Sequence, residues 1–143
     1  MITRTLFTAC LLLVLNQGAN ADVQYGIEVG QSELGFMMVQ FAMATNQELG
    51  RYGKSNFALA ARYYRKAAVL GFPPAQNNIG RLYEQGRGVV QDFELAYVWY
   101  SLAARAGHQT ARSNRDEIAS RLPPGKLITA QKLLRRIQLI LPR

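Results

Sequence analysis

Few residues of this sequence could take part in acid-base, nucleophilic or metal chemistry. The chain contains one histidine, His108, and one cysteine, Cys10, so a zinc site built from several His and Cys ligands is not expected. Asp116 and Glu117 are adjacent, and adjacent side chains on a helix point about 100° apart, so these two carboxylates do not converge as a catalytic pair. We therefore predict no catalytic residue, no cofactor and no metal, and we expect His108 in a surface loop.

The Gly-Arg-Gly of residues 86–88 is the one motif that could suggest a phosphate-binding loop. No strand pattern precedes it, and the rest of the nucleotide-binding fingerprint is missing. A turn explains the same residues, because glycine readily adopts a positive φ. We interpret this segment as a connection between two helices.

Basic residues are the remaining candidates, in this case for binding anions. The formal net charge is +8, and residues 121–143 include six basic residues and no acid. Such a surplus attracts acidic protein surfaces or anionic membranes over long distances. The basic candidates for partner binding form two clusters, which are Arg62, Arg65 and Lys66 in the middle of the chain and Lys132, Arg135 and Arg136 near its end.

The first basic cluster lies in a segment that recurs thirty-six residues later. Residues 57–78 and 93–114 align without a gap, and nine of the twenty-two pairs are identical. A period of this length is typical of stacked helical repeats. The identical pairs are Phe57/Phe93, Leu59/Leu95, Ala60/Ala96, Tyr64/Tyr100, Ala67/Ala103, Ala68/Ala104, Gly71/Gly107, Ala75/Ala111 and Asn78/Asn114.

Each copy begins with a helix that carries two apolar stripes. Two stripes require two neighbouring helices, one in the same unit and one in the next. Gly71 is placed to end the first of these helices and Asp92 to cap the second, which we expect to be the most buried. A last amphipathic segment follows Pro123-Pro124 and does not match the repeat. The sequence therefore predicts an all-α fold, an α-solenoid of antiparallel helix pairs with a C-terminal capping helix.

The recurring residues also form a recognisable pattern. They are Ala60, Tyr63, Tyr64, Lys66, Ala67, Ala68, Gly71, Ala75, Ile79, Gly80, Leu82, Tyr83, Gly86, Gly88, Val89 and Asp92, then Ala96, Trp99, Tyr100, Ala103, Ala104, Gly107 and Ala111. This pattern resembles the SEL-one-like repeat family, which is related to the tetratricopeptide repeats. The resemblance implies a right-handed superhelix that serves as an adaptor or scaffold, often in the bacterial periplasm and usually without catalysis.

The chain is expected to divide into five segments. These are a signal peptide at 1–21, a degenerate first repeat unit with an N-terminal helix at 22–56, repeat units at 57–92 and 93–122, and a basic amphipathic capping helix at 123–143. In the first segment Arg4 precedes an apolar run at 6–15 and a small-residue triplet at 19–21, which is typical of secretory signals. We expect cleavage near Ala21 and a periplasmic or secreted protein. Cys10 precedes most of the apolar run, which argues against lipidation there.

If the identical pairs serve packing, then binding belongs to the residues that differ between the copies. At the positions of the first basic cluster the second copy has Val98, Ser101 and Leu102, which complete the candidates for partner binding.

The leading hypothesis is an exported, non-enzymatic adaptor that binds a protein with an acidic surface in the bacterial periplasm. The alternative is a peripheral binder of an anionic membrane or cell-wall surface through the basic C-terminal helix. An envelope hydrolase is a third hypothesis with no residue pattern to support it. Nucleic acid is not expected as a partner, because the chain has an export signal and no recognition motif.

Overall fold

The computed structural model describes residues 32–140, and these fold into six α-helices with no strand among them. The helices are α1 (Glu33–Leu49), α2 (Phe57–Val69), α3 (Pro73–Gln85), α4 (Phe93–Arg105), α5 (Gln109–Arg121) and α6 (Pro124–Ile140). Helix α2 packs against α3, α3 against α4, α4 against α5, and α6 against α4. The predicted all-α solenoid of helical repeats is confirmed. The predicted signal peptide at 1–21 lies outside the described residues.

The chain separates into two compact units, residues 1–39 and 40–143, with the boundary inside α1. In the first unit the described residues include the first turns of α1, where the backbone N–H of Gly35 donates a hydrogen bond to Ser32 Oγ at 2.8 Å. This bond satisfies one of the N–H groups that the start of a helix leaves without an intrahelical partner. The second unit contains the whole of α2 to α6 and the core that they bury.

Polar side chains fix the first turns of the two repeated helices, α2 and α4. Asn56 Oδ1 accepts a hydrogen bond from the backbone N–H of Leu59 at 2.9 Å. Asp92 Oδ1 accepts one from the backbone N–H of Leu95, also at 2.9 Å. The predicted cap at Asp92 is confirmed, and the equivalent position of the first copy uses an amide instead of a carboxylate.

Glycines end the same two helices. Gly71 has a φ of 91° and Gly107 a φ of 89°, which is a left-handed conformation that costs glycine little. After α2 the backbone N–H of Phe72 donates to the carbonyl of Ala67 at 3.2 Å, and this hydrogen bond closes the last turn. The prediction that Gly71 ends the first repeated helix is confirmed.

The Gly-Arg-Gly segment forms a turn that packs against the start of α2. Gly88 has a φ of 71°, and a Cβ atom at this position would lie only 2.2 Å from the carbonyl carbon of Phe57. The Arg87 guanidinium lies 3.8 Å from the centroid of the Phe57 ring. The segment is thus a helix connection that requires glycine at residue 88 for close backbone approach.

Helix α4 is the most buried helix of the described chain, as expected, because it packs against three others. Eight of its thirteen residues are buried. Gly80 on α3 allows a close contact with α4, since a Cβ atom there would lie 2.9 Å from Cδ1 of Tyr100. The ring of Tyr100 therefore packs directly on the α3 backbone.

Helix α6 packs on α4, as expected of a capping helix. Ala130 is fully buried, and Leu127 and Leu134 pack against the same apolar cluster. At the start of α6, Lys126 Nζ lies 2.7 Å from Glu94 Oε1 of α4. None of the described helices is both long enough and apolar enough to cross a membrane.

Candidate interaction surface

Helix α2 presents a basic face to solvent. Arg62, Arg65 and Lys66 are all exposed, whereas Ala60 and Ala67 have no exposed surface. Successive residues of a helix are rotated by about 100°, so the three cations lie within an arc of about 100° on one side of α2. These three candidates from the first copy are accessible to a partner.

Two of these cations are held against aromatic rings. Arg65 Nη2 donates a hydrogen bond to the hydroxyl of Tyr83 at 2.8 Å, and its guanidinium lies 6.0 Å from the centroid of that ring. Lys66 Nζ lies 5.4 Å from the centroid of the Tyr63 ring. Such contacts limit the rotamers of the two side chains and so reduce the entropy that they would lose on binding. Arg62 has no contact of this kind among the described residues.

The expectation that Val98 and Ser101 contact a partner is wrong, because both side chains are buried. Val98 is 0% exposed and Ser101 is 3% exposed. Ser101 Oγ donates a hydrogen bond to the backbone carbonyl of Tyr97 at 2.7 Å, so its hydroxyl is used within α4. Leu102, the third candidate of the second copy, is half-buried.

Ser101 is buried because α6 lies over its side of α4. Glu94, which is about 20° from Ser101 around the helix axis, forms the ion pair with Lys126 of α6. Tyr97, about 40° away on the other side of Ser101, belongs to the same apolar cluster as Ala130 of α6. The path of α6 across α4 is a long-range property that the repeat pattern does not contain.

The basic candidates of α6 lie on its exposed side. Lys132, Arg135 and Arg136 are all exposed, and none has an ion-pair partner among the described residues. Lys126 differs, because its hydrogen bond to Glu94 raises the pKa of the ammonium group. Helix α6 thus uses one cation to attach itself to α4 and leaves three without a counter-charge.

A polar network that the sequence analysis missed connects successive helices. Glu48 Oε2 accepts a hydrogen bond from the hydroxyl of Tyr64 at 2.9 Å, and Glu48 Oε1 accepts one from Arg81 Nη2 at 2.6 Å. Thr45 Oγ1 lies 3.3 Å from the same tyrosine hydroxyl. The carboxylate therefore joins the end of α1 to α2 and α3.

The second copy repeats this arrangement with Glu84. Its Oε2 accepts a hydrogen bond from the hydroxyl of Tyr100 at 2.7 Å, and its Oε1 accepts one from Arg121 Nη1 at 2.9 Å. Burial raises the pKa of both Tyr64 and Tyr100, and the neighbouring glutamates raise it further. Both phenols therefore stay protonated as donors at neutral pH. Their hydroxyl groups connect successive helices.

The remaining polar residues with catalytic potential also serve local structure. His108 lies in the connection before α5, as expected, and is half-buried there, because its Nδ1 accepts a hydrogen bond from the backbone N–H of Ala111 at 3.2 Å. Arg115 Nη2 lies 2.7 Å from Asp116 Oδ1. Between residues 32 and 140 no group of three or more His, Cys, Asp or Glu side chains is arranged to hold a metal ion.

Comparison with known proteins agrees with the helix arrangement. The sequence profile of the Sel1 repeat matches residues 38–72 and 73–108. Among solved structures, the Sel1 repeat protein from Oxalobacter formigenes is 30% identical with a TM-score of 0.58, and the match covers 71% of this chain and 74% of that one. This chain belongs to the Sel1 repeat family. Proteins of this family generally mediate protein–protein interactions as non-enzymatic scaffolds.

A second Sel1-like relative is larger. It is c5321, a protective antigen present in uropathogenic Escherichia coli strains that displays an SLR fold; it is 26% identical with a TM-score of 0.66. The match covers 74% of this chain but only 22% of c5321. No curated protein sequence matches the chain significantly.

The family profile begins the repeat at a different residue from the repeat units that the sequence predicts. Its first window, 38–72, joins most of α1 to α2, and its second, 73–108, joins α3 to α4. Our unit boundaries at 57 and 93 divide the same Sel1 repeat half a unit later. They stay a prediction, as does the degenerate first unit at 22–56.

Proposed function

We propose that this Sel1 repeat protein is an exported, non-enzymatic adaptor of the bacterial periplasm that binds a protein partner with an acidic surface through α2. The observation that carries the proposal is the basic face formed by Arg62, Arg65 and Lys66. It is solvent-exposed and stands on a helix whose opposite side is locked in the core. Arg65 and Lys66 are held by aromatic rings and so lose less entropy on binding, and the three cations together steer acidic partners by long-range attraction.

The contrast with two half-buried glutamates supports this assignment. Glu48 and Glu84 are satisfied by hydrogen bonds from neighbouring helices, so their charge is used inside the protein. Arg62 has no counter-charge among the described residues. An acidic partner would supply the missing counter-charge.

Export is proposed from the sequence of residues 1–21. An apolar run preceded by Arg4 and followed by a small-residue triplet is typical of a cleaved secretory signal. Fractionation of cells that express the chain, followed by N-terminal sequencing, tests this step. The expected result is a periplasmic or secreted protein that begins at Asp22, and an unprocessed protein in the cytoplasm would contradict it.

The adaptor role is tested by photocrosslinking in cells. A photoreactive amino acid replaces Ala58, which is exposed and lies on the same side of α2 as Arg62 and Arg65, so that all three cations remain. The matched control carries the same amino acid at Ser113, an exposed position on α5. We expect a discrete protein adduct from residue 58 that is absent from residue 113. The same adducts from both positions, or none from residue 58, would contradict the proposal.

A further inference from the structure

The outer face of α6 combines aliphatic and cationic side chains in one strip. At about 100° per residue, Ile128, Lys132, Arg135 and Leu139 lie within about 60° of one another, on the side opposite the buried Ala130. Ile128 is 52% exposed and Leu139 is 85% exposed. Exposed aliphatic side chains on a folded helix favour a partner that can take them out of water.

The charges of this strip have one sign only. Helix α6 contains no Asp or Glu, and Arg136 lies beside Lys132 and adds a third cation. These three cations have no ion-pair partner among the described residues. The partner that binds this face should therefore present anionic groups and apolar surface close to each other.

Helix α2 carries a strip of residues with the same spacing. The residues that differ between the two strips therefore indicate what is specific to α6. Ala58, Arg62, Arg65 and Val69 occupy positions equivalent to Ile128, Lys132, Arg135 and Leu139, and Lys66 corresponds to Arg136. The apolar residues of α2 are smaller, and Arg65 is bonded to Tyr83. Of these two helices, α6 is the one whose strip has two large aliphatic side chains and cations without a hydrogen bond to a tyrosine among the described residues.

We propose that the outer face of α6 binds the surface of an anionic phospholipid bilayer. The helix lies parallel to the membrane, with Ile128 and Leu139 at the boundary of the acyl chains and with Lys132, Arg135 and Arg136 at the phosphates. Cations on both sides of the aliphatic line can extend towards the headgroups while their methylene groups cover apolar surface.

A bilayer explains this face better than an acidic protein does. The two aliphatic side chains are about 16 Å apart along the helix axis, with the cations on either side of the line that joins them. A protein partner would have to match that spacing with two separate pockets, whereas mobile lipids adapt to it. The proposal goes beyond the adaptor function, because it uses a different helix from the basic face of α2.

The inner face of α6 packs on the core, so the proposal must be tested with substitutions on the outer face. Ala130, Leu127 and Leu134 pack against the core, so deletion of the helix would expose that core and report on folding. Substitutions confined to the outer face leave this packing intact. Their thermal melting curves, recorded by circular dichroism, should coincide with that of the unchanged protein.

The charge test measures sedimentation with vesicles of phosphatidylglycerol and phosphatidylcholine, using the processed protein purified from the expressing cells. The variant Lys132→Gln/Arg135→Gln should bind about thirtyfold more weakly, since each cation near an anionic surface contributes a few-fold to binding. The matched control, Arg62→Gln/Lys66→Gln on α2, should change the binding less than about threefold. Vesicles of phosphatidylcholine alone should bind much less protein.

The apolar test compares two equally exposed residues. Leu139 is 85% exposed on α6, and Val90 is 87% exposed in the connection before α4. Leu139→Ser should weaken sedimentation with the anionic vesicles by roughly tenfold, because the aliphatic side chain no longer enters the acyl boundary. Val90→Ser should leave it unchanged.

Four results would overturn the proposal. They are no sedimentation with anionic vesicles, equal sedimentation with phosphatidylcholine alone, an equal loss in the α2 control, and unchanged binding by the α6 variants. A different outcome is that vesicles do not bind and that a protein crosslinked to the unchanged chain is not crosslinked to the variant Lys132→Gln/Arg135→Gln. The strip is then a protein-binding surface, and the membrane proposal is wrong. The crosslink from residue 58 tests the adaptor function separately, so failure of one proposal does not imply failure of the other.

Discussion

The two repeated helices, α2 and α4, have the same inner side and different outer sides. Tyr64 and Tyr100 are each 1% exposed, and each hydroxyl donates to a glutamate of the preceding helix. On the outer side Arg65 is exposed, whereas Ser101 at the equivalent position is buried. The inner side is therefore set by the repeat, and the outer side is set by what lies next to each copy.

This difference indicates where binding residues should be sought. Helix α6 covers part of the outer side of α4, but α2 has no such helix over its basic face among the described residues. The copy with exposed cations is α2, over whose basic face the described residues place no helix. A residue that varies between repeats is thus a candidate for binding only if its own copy leaves it exposed.

The largest expected effect comes from exchanging residues between the two outer sides. Val98→Arg places a long cationic side chain at a position that is 0% exposed, and we expect a loss of about 3–5 kcal/mol in the free energy of unfolding because the side chain overpacks the site and its charge loses hydration there. The reverse change, Arg62→Val, should alter the free energy by less than about 0.5 kcal/mol at an exposed site. Urea unfolding measures both, and equal effects would break the distinction between the two helices.

A somewhat smaller effect is expected at the turn that packs on α2. Gly88→Ala should cost about 3 kcal/mol, because the new Cβ would collide with the backbone of Phe57 and the φ of 71° is unfavourable for alanine. Gly107→Ala provides the control, since its φ is also positive but no atom lies within 4 Å of the added Cβ. We expect about 1 kcal/mol there, and similar losses at both sites would refute the close contact at residue 88.

The shared inner side should respond equally in both copies. Tyr64→Phe and Tyr100→Phe each remove a hydrogen bond to a carboxylate, and each should lower the free energy of unfolding by about 1.5 kcal/mol. Urea unfolding of the two variants checks this. A loss in only one copy would show that the repeated network does not stabilise both.

The same tyrosines predict a pH dependence. Because their pKa is raised in the folded protein, the stability that they contribute is fully present below the unfolded value of about 10 and is lost as the pH rises above it. Thermal melting at increasing alkaline pH should therefore show a falling midpoint. Tyr100→Phe should make the fall less steep, and an unchanged slope would contradict the assignment.

The helices could be predicted from the sequence because their signals are local. The apolar spacing of residues 93–106 and the cap at Asp92 placed α4 within one residue of its observed end. The burial of Ser101 could not be predicted in the same way. It depends on α6, which begins more than twenty residues later and carries no copy of the repeat.

The polar networks show a second limit. Glu48 and Glu84 are thirty-six residues apart, as are their tyrosines, but Arg81 and Arg121 are forty residues apart. The second arginine reaches its glutamate from one helical turn further along α5, because residues four apart lie on the same face of a helix. A search at the fixed period therefore finds the glutamates and the tyrosines and misses the arginines.

The central claim is that partner binding belongs to the exposed cations of α2 and not to the repeated residues. The most direct measurement is the yield of the photocrosslink from residue 58 in the variant Arg62→Glu/Lys66→Glu. We expect the adduct to disappear while the melting temperature stays unchanged. An adduct that persists at full yield in the folded variant would contradict the claim.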